Sequence, residues 1–236
     1  MPRPLVLAAV FLLSLLFWLI WSFPAAPLLQ RLDSPVVADQ PLHIEGVRGL
    51  ARRGSLDWRW QDYRGRLDWR LGWKGMRPGL ELQVRGNGAE LAGWVSGTPG
   101  SVLLRDLMVD VPVSLVADEI PDHSADGRVE GRAERLSWRP GEAPRVSGHL
   151  HYSGGHMRWP DGESDVPPLE GELYNEDDAG WLAVHDPQGT LLMDGRLSAD
   201  ELEFRLYRAW PVLLGVSEGG DPDDVIFQVT ERLAAQ

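Results

Sequence analysis

The residues best suited by type and spacing to do chemistry are the histidines of His149-Leu-His151-Tyr-Ser-Gly-Gly-His156. Residues two apart on a β-strand share a face, so His149 and His151 are expected to point the same way. A hairpin turn at Ser153-Gly154-Gly155 would bring His156 alongside, and three imidazoles on one face could bind zinc or copper. The competing reading is a solvated hairpin face, with Val146, Leu150 and Tyr152 turned the other way. No convergent carboxylate completes a ligand set, so no metal ligand is assigned.

Two acidic clusters, Glu176-Asp177-Asp178 and Asp221 to Asp224, lack the spacing of a calcium loop and read as solvated turns. The second precedes an expected strand from Val225 to Thr230. Inward-facing Trp residues could line a sugar or lipid site, but a row of strand Trp reads first as core. Nucleotide-binding, serine-hydrolase and zincin motifs are absent. Cysteine is absent too, which removes thiolate nucleophiles, disulfides and Cys-based zinc sites. No catalytic, cofactor-binding or metal residue is assigned, and no cofactor is implied.

The elements behind these residues are strands. Leu67, Trp69, Leu71 and Trp73 alternate with Arg66, Asp68, Arg70 and Lys74. The same period of two runs through Leu56, Trp58 and Trp60, through Leu80, Leu82 and Val84, through Val109, Val111 and Val113, and through Leu202, Phe204 and Leu206. Such alternation marks antiparallel strands with one buried and one wet face. A Leu-x-Trp-Arg echo recurs at Leu56, Leu67 and Leu136. Between Arg128 and Trp138 the alternation changes phase, which one extra residue near Arg135 would produce as a β-bulge. Turn signals fall at Arg64-Gly65, Gly86-Asn87-Gly88, Pro99-Gly100, Ser153-Gly154-Gly155 and Pro187-Gln188-Gly189, the spacing of an all-β meander, sandwich or open groove. A polar stretch from Asp118 to Asp126 is a candidate divider of the sheet.

Leu5 to Phe23 carries no charge and only Ser14 and Ser22 as polar interruptions. As a helix it would extend roughly 28 Å, near the ~30 Å of a bilayer core. Leu5, Phe11, Leu16, Trp18 and Trp21 are its anchoring residues, the two Trp lying where indole rings favour the interface. A cleaved signal peptide would have a shorter apolar core and a small-x-small site, which this run lacks. Arg3 and the α-amino group before it favour a cytoplasmic N-terminus. The expected organisation is therefore a stub at 1–4, a transmembrane helix at 5–23, a proline-rich linker at 24–41 and a periplasmic β-rich domain at 42–236. That domain is all-β, an antiparallel sheet either open and groove-like or closed over a core.

Arg3 is the one charged side chain before Arg31, so the acidity of the chain, 35 Asp and Glu against 23 Lys and Arg, lies beyond the apolar run. Nucleic acid and anionic headgroups would repel such a domain. Protein partners suit it better.

Several stretches together resemble the N component of bacterial type II secretion systems. Gly46-Val47-Arg48-Gly49 stands where that family has Gly-Val-x-Gly-Thr-Leu-Trp-x-Gly, although Leu50, Ala51 and Arg52 replace its Thr-Leu-Trp. Leu67-Asp68-Trp69-Arg70-Leu71 is similar to its Leu-x-Trp strand, and Gly127 to Trp138 to its mid-domain strand pair. Gln188-Gly189-Thr190-Leu191 through Gly195-Arg196-Leu197, and Leu213-Leu214-Gly215 with the acidic turn and final strand, are similar to its later part. The resemblance implies a non-catalytic, single-pass inner-membrane accessory part of the secretion machine, with other secretion-system proteins as partners. It brings no site residues. Beside it stand two other readings: a membrane-anchored β-groove that binds or conveys lipid, and a metal-dependent enzyme built on the three histidines.

Overall fold

The computed structural model describes residues 25, 36–37, 40–98, 100–117 and 122–233. Along the chain these form strands β1 (Val36–Val37), β2 (Gln40–Pro41), β3 (His43–Leu50), β4 (Arg53–Trp60), β5 (Tyr63–Lys74), β6 (Arg77–Gly86), β7 (Ala89–Thr98) and β8 (Ser101–Pro112). Then follow α1 (Ser114–Ala117), β9 (Ser124–Ala125), β10 (Arg128–Trp138), β11 (Arg145–Tyr152), β12 (Gly155–Trp159), β13 (Gly162–Val166), β14 (Leu169–Glu176), β15 (Ala179–His185), β16 (Leu191–Leu197), β17 (Glu201–Tyr207), α2 (Ala209–Leu213) and β18 (Val225–Arg232). The all-β class and the alternating strands are as expected. The expected anchor, including Leu5, Phe11, Leu16, Trp18 and Trp21, lies outside the described residues. Among those described, no helix is long and apolar enough to cross a membrane. In the expected linker, β1 and β2 pair as a short antiparallel ladder.

The chain divides into two compact units at Asn87 and Gly88. This is well before the Asp118 to Asp126 stretch expected to divide the sheet, in which Ser124–Ala125 is itself a strand.

The first unit carries β3 to β6 as an antiparallel meander. Its charged face is laced with ion pairs: Asp57 accepts from Arg66 at 2.8 Å and Arg48 at 3.0 Å. The Arg66 hydrogen bond holds the Asp57 carboxyl below its ordinary range. Such exposed pairs stabilise little. On the opposite face the tryptophans do not form a core. Trp58 lies on its register partner Gly65, and Trp69 on its partner Gly54. Glycine leaves room there for an indole to lie across the neighbouring strand. That explains why Gly65 sits inside β5 rather than in the turn expected at Arg64-Gly65. The turn falls instead at Gln61 and Asp62, between β4 and β5, with Gln61 at φ 52°. Leu56 and Gly79 are the only buried positions among the described residues of these strands, and Trp73 is 68% exposed.

The second unit has an antiparallel sheet of nine strands, ordered β18-β17-β16-β15-β14-β11-β10-β8-β7, and a small sheet ordered β13-β12-β9. The register aligns one apolar residue from each strand of the large sheet: Leu91, Val109, Gly131, Leu150, Gly171, Val184, Met193, Leu206 and Phe227. In the middle of this row Leu150 covers its neighbours Gly131 and Gly171. The expected bulge is present, since the β10–β11 register shifts between Ala133 and Arg135. The core gathers at one end of this face, where Val166, Leu169, Leu192 and Ala209 meet Tyr152, Met157, Val184, Trp210 and Leu213. Leu192, skipped in the β15–β16 register, is fully buried.

Candidate interaction surface

The histidines do not converge. His149 and His151 do share a face of β11, but Ser153-Gly154 leads the chain out of the large sheet, so His156 lies on β12 of the small one. Each ring faces carboxylates of its own: His149 with Glu134 at 3.3 Å, His151 with Glu170 at 2.9 Å, His156 with Asp165 at 3.0 Å and Glu163 at 3.4 Å. Hydrogen bonds to Asp165 and then Glu163 raise the pKa of His156. Among the described residues, no group of three or more His, Asp or Glu side chains is placed to hold a metal ion. The acidic clusters are turns, as expected. Asp177 and Asp178 take positive φ between β14 and β15. Asp221 accepts backbone hydrogen bonds from Asp223 and Asp224 just before β18.

The most distinctive surface is the end of the large sheet at β17 and β18. Val225, Ile226, Phe227, Val229 and Thr230 are β-branched or aromatic, which favours an extended chain. The strand is tied at both ends: Arg208 donates its backbone N–H to the Asp224 carbonyl at 2.8 Å, and Leu233 donates to Asp200 at 2.8 Å. Between these points β18 pairs with β17 alone among the described strands, and all eight of its residues are exposed. The register skips Ile226 and then runs without interruption from Phe227 to Arg232.

The burial of the two faces reverses here. Leu202 and Phe204, expected to point into a core, are 40% and 36% exposed, whereas Asp194 on the other face is 6% exposed. The cause is a polar cluster that no sequence motif marked. Asp194 accepts from Arg205 Nε and Nη2, both at 2.8 Å, and from the Tyr207 hydroxyl at 2.8 Å. Burial, followed by the hydrogen bond to Asp194, pushes the Tyr207 pKa up to about 12. The same carboxylate raises that of Arg205. Arg205 and Arg196 also approach the Trp181 ring at 5.5 and 5.9 Å, and Trp181 stacks on Tyr174. The one available sequence signal was an acid set inside Leu191-Leu192-Met193-Asp194, with Arg205 on the next expected strand.

This arrangement anchors β17 firmly beneath an exposed outer strand. What the surface offers is a row of backbone donors and acceptors flanked by apolar side chains, which is the means of binding an extended chain rather than of making or breaking bonds.

The family model for type II secretion system protein N matches residues 40–217. The chain belongs to that family. A protein N relative from Aeromonas hydrophila, named "Type II secretion system protein N", is 26% identical over 216 residues, covering 85% of this chain and 75% of the relative. No solved structure matches the chain. The stretch that the family model matches runs from β2 through α2.

Proposed function

We propose that this chain is a non-catalytic accessory component of a type II protein secretion system, held at the bacterial inner membrane with its β-rich part in the periplasm. Leu5 to Phe23 anchors it with the N-terminus in the cytoplasm, and other secretion-system proteins are its partners. The observation that carries this reading is the family match over residues 40–217. The acidity of the chain and the uncharged apolar run near its N-terminus support it. So does a sheet whose outer strand is exposed along its whole length.

The test is deletion of the gene in a bacterium that secretes through this system. Exported proteins are expected to accumulate in the periplasm, and the full chain in trans is expected to restore them to the medium; unchanged export would overturn the reading. Because the chain has no cysteine, topology can be read in the same strain. A membrane-impermeant maleimide is expected to label a Gly141→Cys variant in spheroplasts and to leave a Pro2→Cys variant unlabelled.

A further inference from the structure

We infer that the outer edge of β18 is a docking site for an extended segment of a partner protein, added as a further antiparallel or parallel strand. This inference rests on the reading of the chain as an assembly component and names where and how it would bind.

Three observations carry it. First, among the described strands none pairs with this edge, and it is suited to pairing. From Phe227 to Arg232 the register with β17 is continuous, and the strand contains no proline or glycine. Edge strands not meant for pairing are usually blunted by prolines, bulges or lysines. Here the only irregularity is at Ile226, at the start of the strand.

Second, the apolar rows of the large sheet run out at this edge. One ends at Phe227 and the other, passing through Leu173, Leu182, Gly195 and Phe204, ends at Val229. Phe227 and Val229 are 52% and 45% exposed. An added strand with apolar residues two apart would continue both rows and cover these side chains.

Third, the charge around the edge selects the rest of the incoming segment. Glu201, Glu203 and Glu231 lie on β17 and β18, and Asp221, Asp223 and Asp224 form the turn that leads into β18. Of the arginines there, Arg205 is held by Asp194 and Arg208 by Asp224, Arg196 approaches the Trp181 ring, and Arg232 ends the strand. The favoured occupant therefore alternates apolar residues with Lys or Arg. A second copy of this chain would bring the same acidic residues against themselves, so a heterologous partner is the better fit.

The test uses the full chain in detergent and two synthetic peptides of alternating Val and Lys, one unmodified and one N-methylated at every second residue to remove edge donors without changing charge. The unmodified peptide is expected to bind, to slow amide exchange within 227–232, and to bind about tenfold or more tighter than the methylated form. Gln228→Pro and Val229→Pro provide a second measurement, because successive N–H groups point to opposite edges of a strand. One of the two variants is expected to keep the fold, by near-UV circular dichroism, and to lose the peptide. Equal affinity for both peptides would reduce the effect to charge alone and overturn the proposal. Slowed exchange at 227–232 that depends on protein concentration without peptide would replace the partner with a second copy and overturn it too. Failure here with export still lost on gene deletion refutes the docking edge alone; peptide binding with export intact refutes the secretion role instead.

Discussion

The Trp58 ring lies across Gly65, its register partner on the next strand, so closely that a Cβ at position 65 would stand 2.5 Å from the ring carbon Cζ2. Trp69 and Gly54 repeat the relationship beyond the Leu56–Leu67 pair, at the same 2.5 Å. In a sheet with so few buried positions, these indoles protect their own ladder by covering the backbone of the adjacent strand. Gly65→Ala is therefore expected to destabilise the first unit by about 1–3 kcal/mol through overpacking. The measurement is the urea midpoint followed by Trp fluorescence, and an unchanged midpoint would refute the covering role.

Asp194 and Arg205 supply a second prediction. Asp194→Ala removes the acceptor for two guanidinium hydrogen bonds and the Tyr207 hydroxyl, leaving Arg205 partly buried and unpaired. Breaking a buried pair costs about 3–5 kcal/mol, and the partial exposure of Arg205 places the expected loss nearer about 2–3 kcal/mol. Chemical denaturation of the variant checks this, and hydrogen exchange should show β17 and β18 loosening first.

Tyr207 gives an alkaline signature. Its folded pKa of about 12 lies above the ordinary value of 10.0. Between those values the folded chain keeps a proton that the unfolded chain has released, so stability is expected to fall as pH rises from 10 to 12. Tyr207→Phe should flatten that fall, as read from thermal melts across the range.

His156 titrates in the milder range. Its pKa is raised by Asp165 and Glu163, so the contribution of the protonated ring is full below the ordinary value of 6.5 and disappears as pH climbs through the folded one. Proton NMR should place His156 above 6.5, with Asp165→Asn lowering it. A titration unmoved by that change would remove the carboxylate as the cause.

Leu192 tests where the core lies. It is the one fully buried large side chain among the described residues. Leu192→Ala is expected to cost about 2–5 kcal/mol, against less than about 1 kcal/mol for Leu202→Ala at the exposed end of the sheet. Similar losses at both sites would contradict the contrast in burial between them.

Much of this was legible in the chain itself. Alternation at Leu67 to Trp73 or Leu80 to Val84 reports directly on strands, because side chains of an extended backbone point to opposite faces. The phase change near Arg135 reports on the bulge for the same reason. The acidic turns at Asp177-Asp178 and Asp221 to Asp224 were legible through local backbone chemistry. The place of Gly65 was not legible, because it depends on Trp58 in another strand. Nor was that of His156, because a glycine turn can close a hairpin or leave the sheet, and local residues do not distinguish the two.

By itself, then, the sequence determined an antiparallel β-protein with two chemically different sheet faces, since period and composition are local properties; its family is carried by matched stretches spread along the chain. Only the tertiary structure decided which face is covered, and where. Leu202 and Phe204 were left exposed while Asp194 was buried, because burial depends on which strands become neighbours. The open edge at β18 is likewise set by the strand order of the whole sheet, a non-local outcome that no window of residues contains.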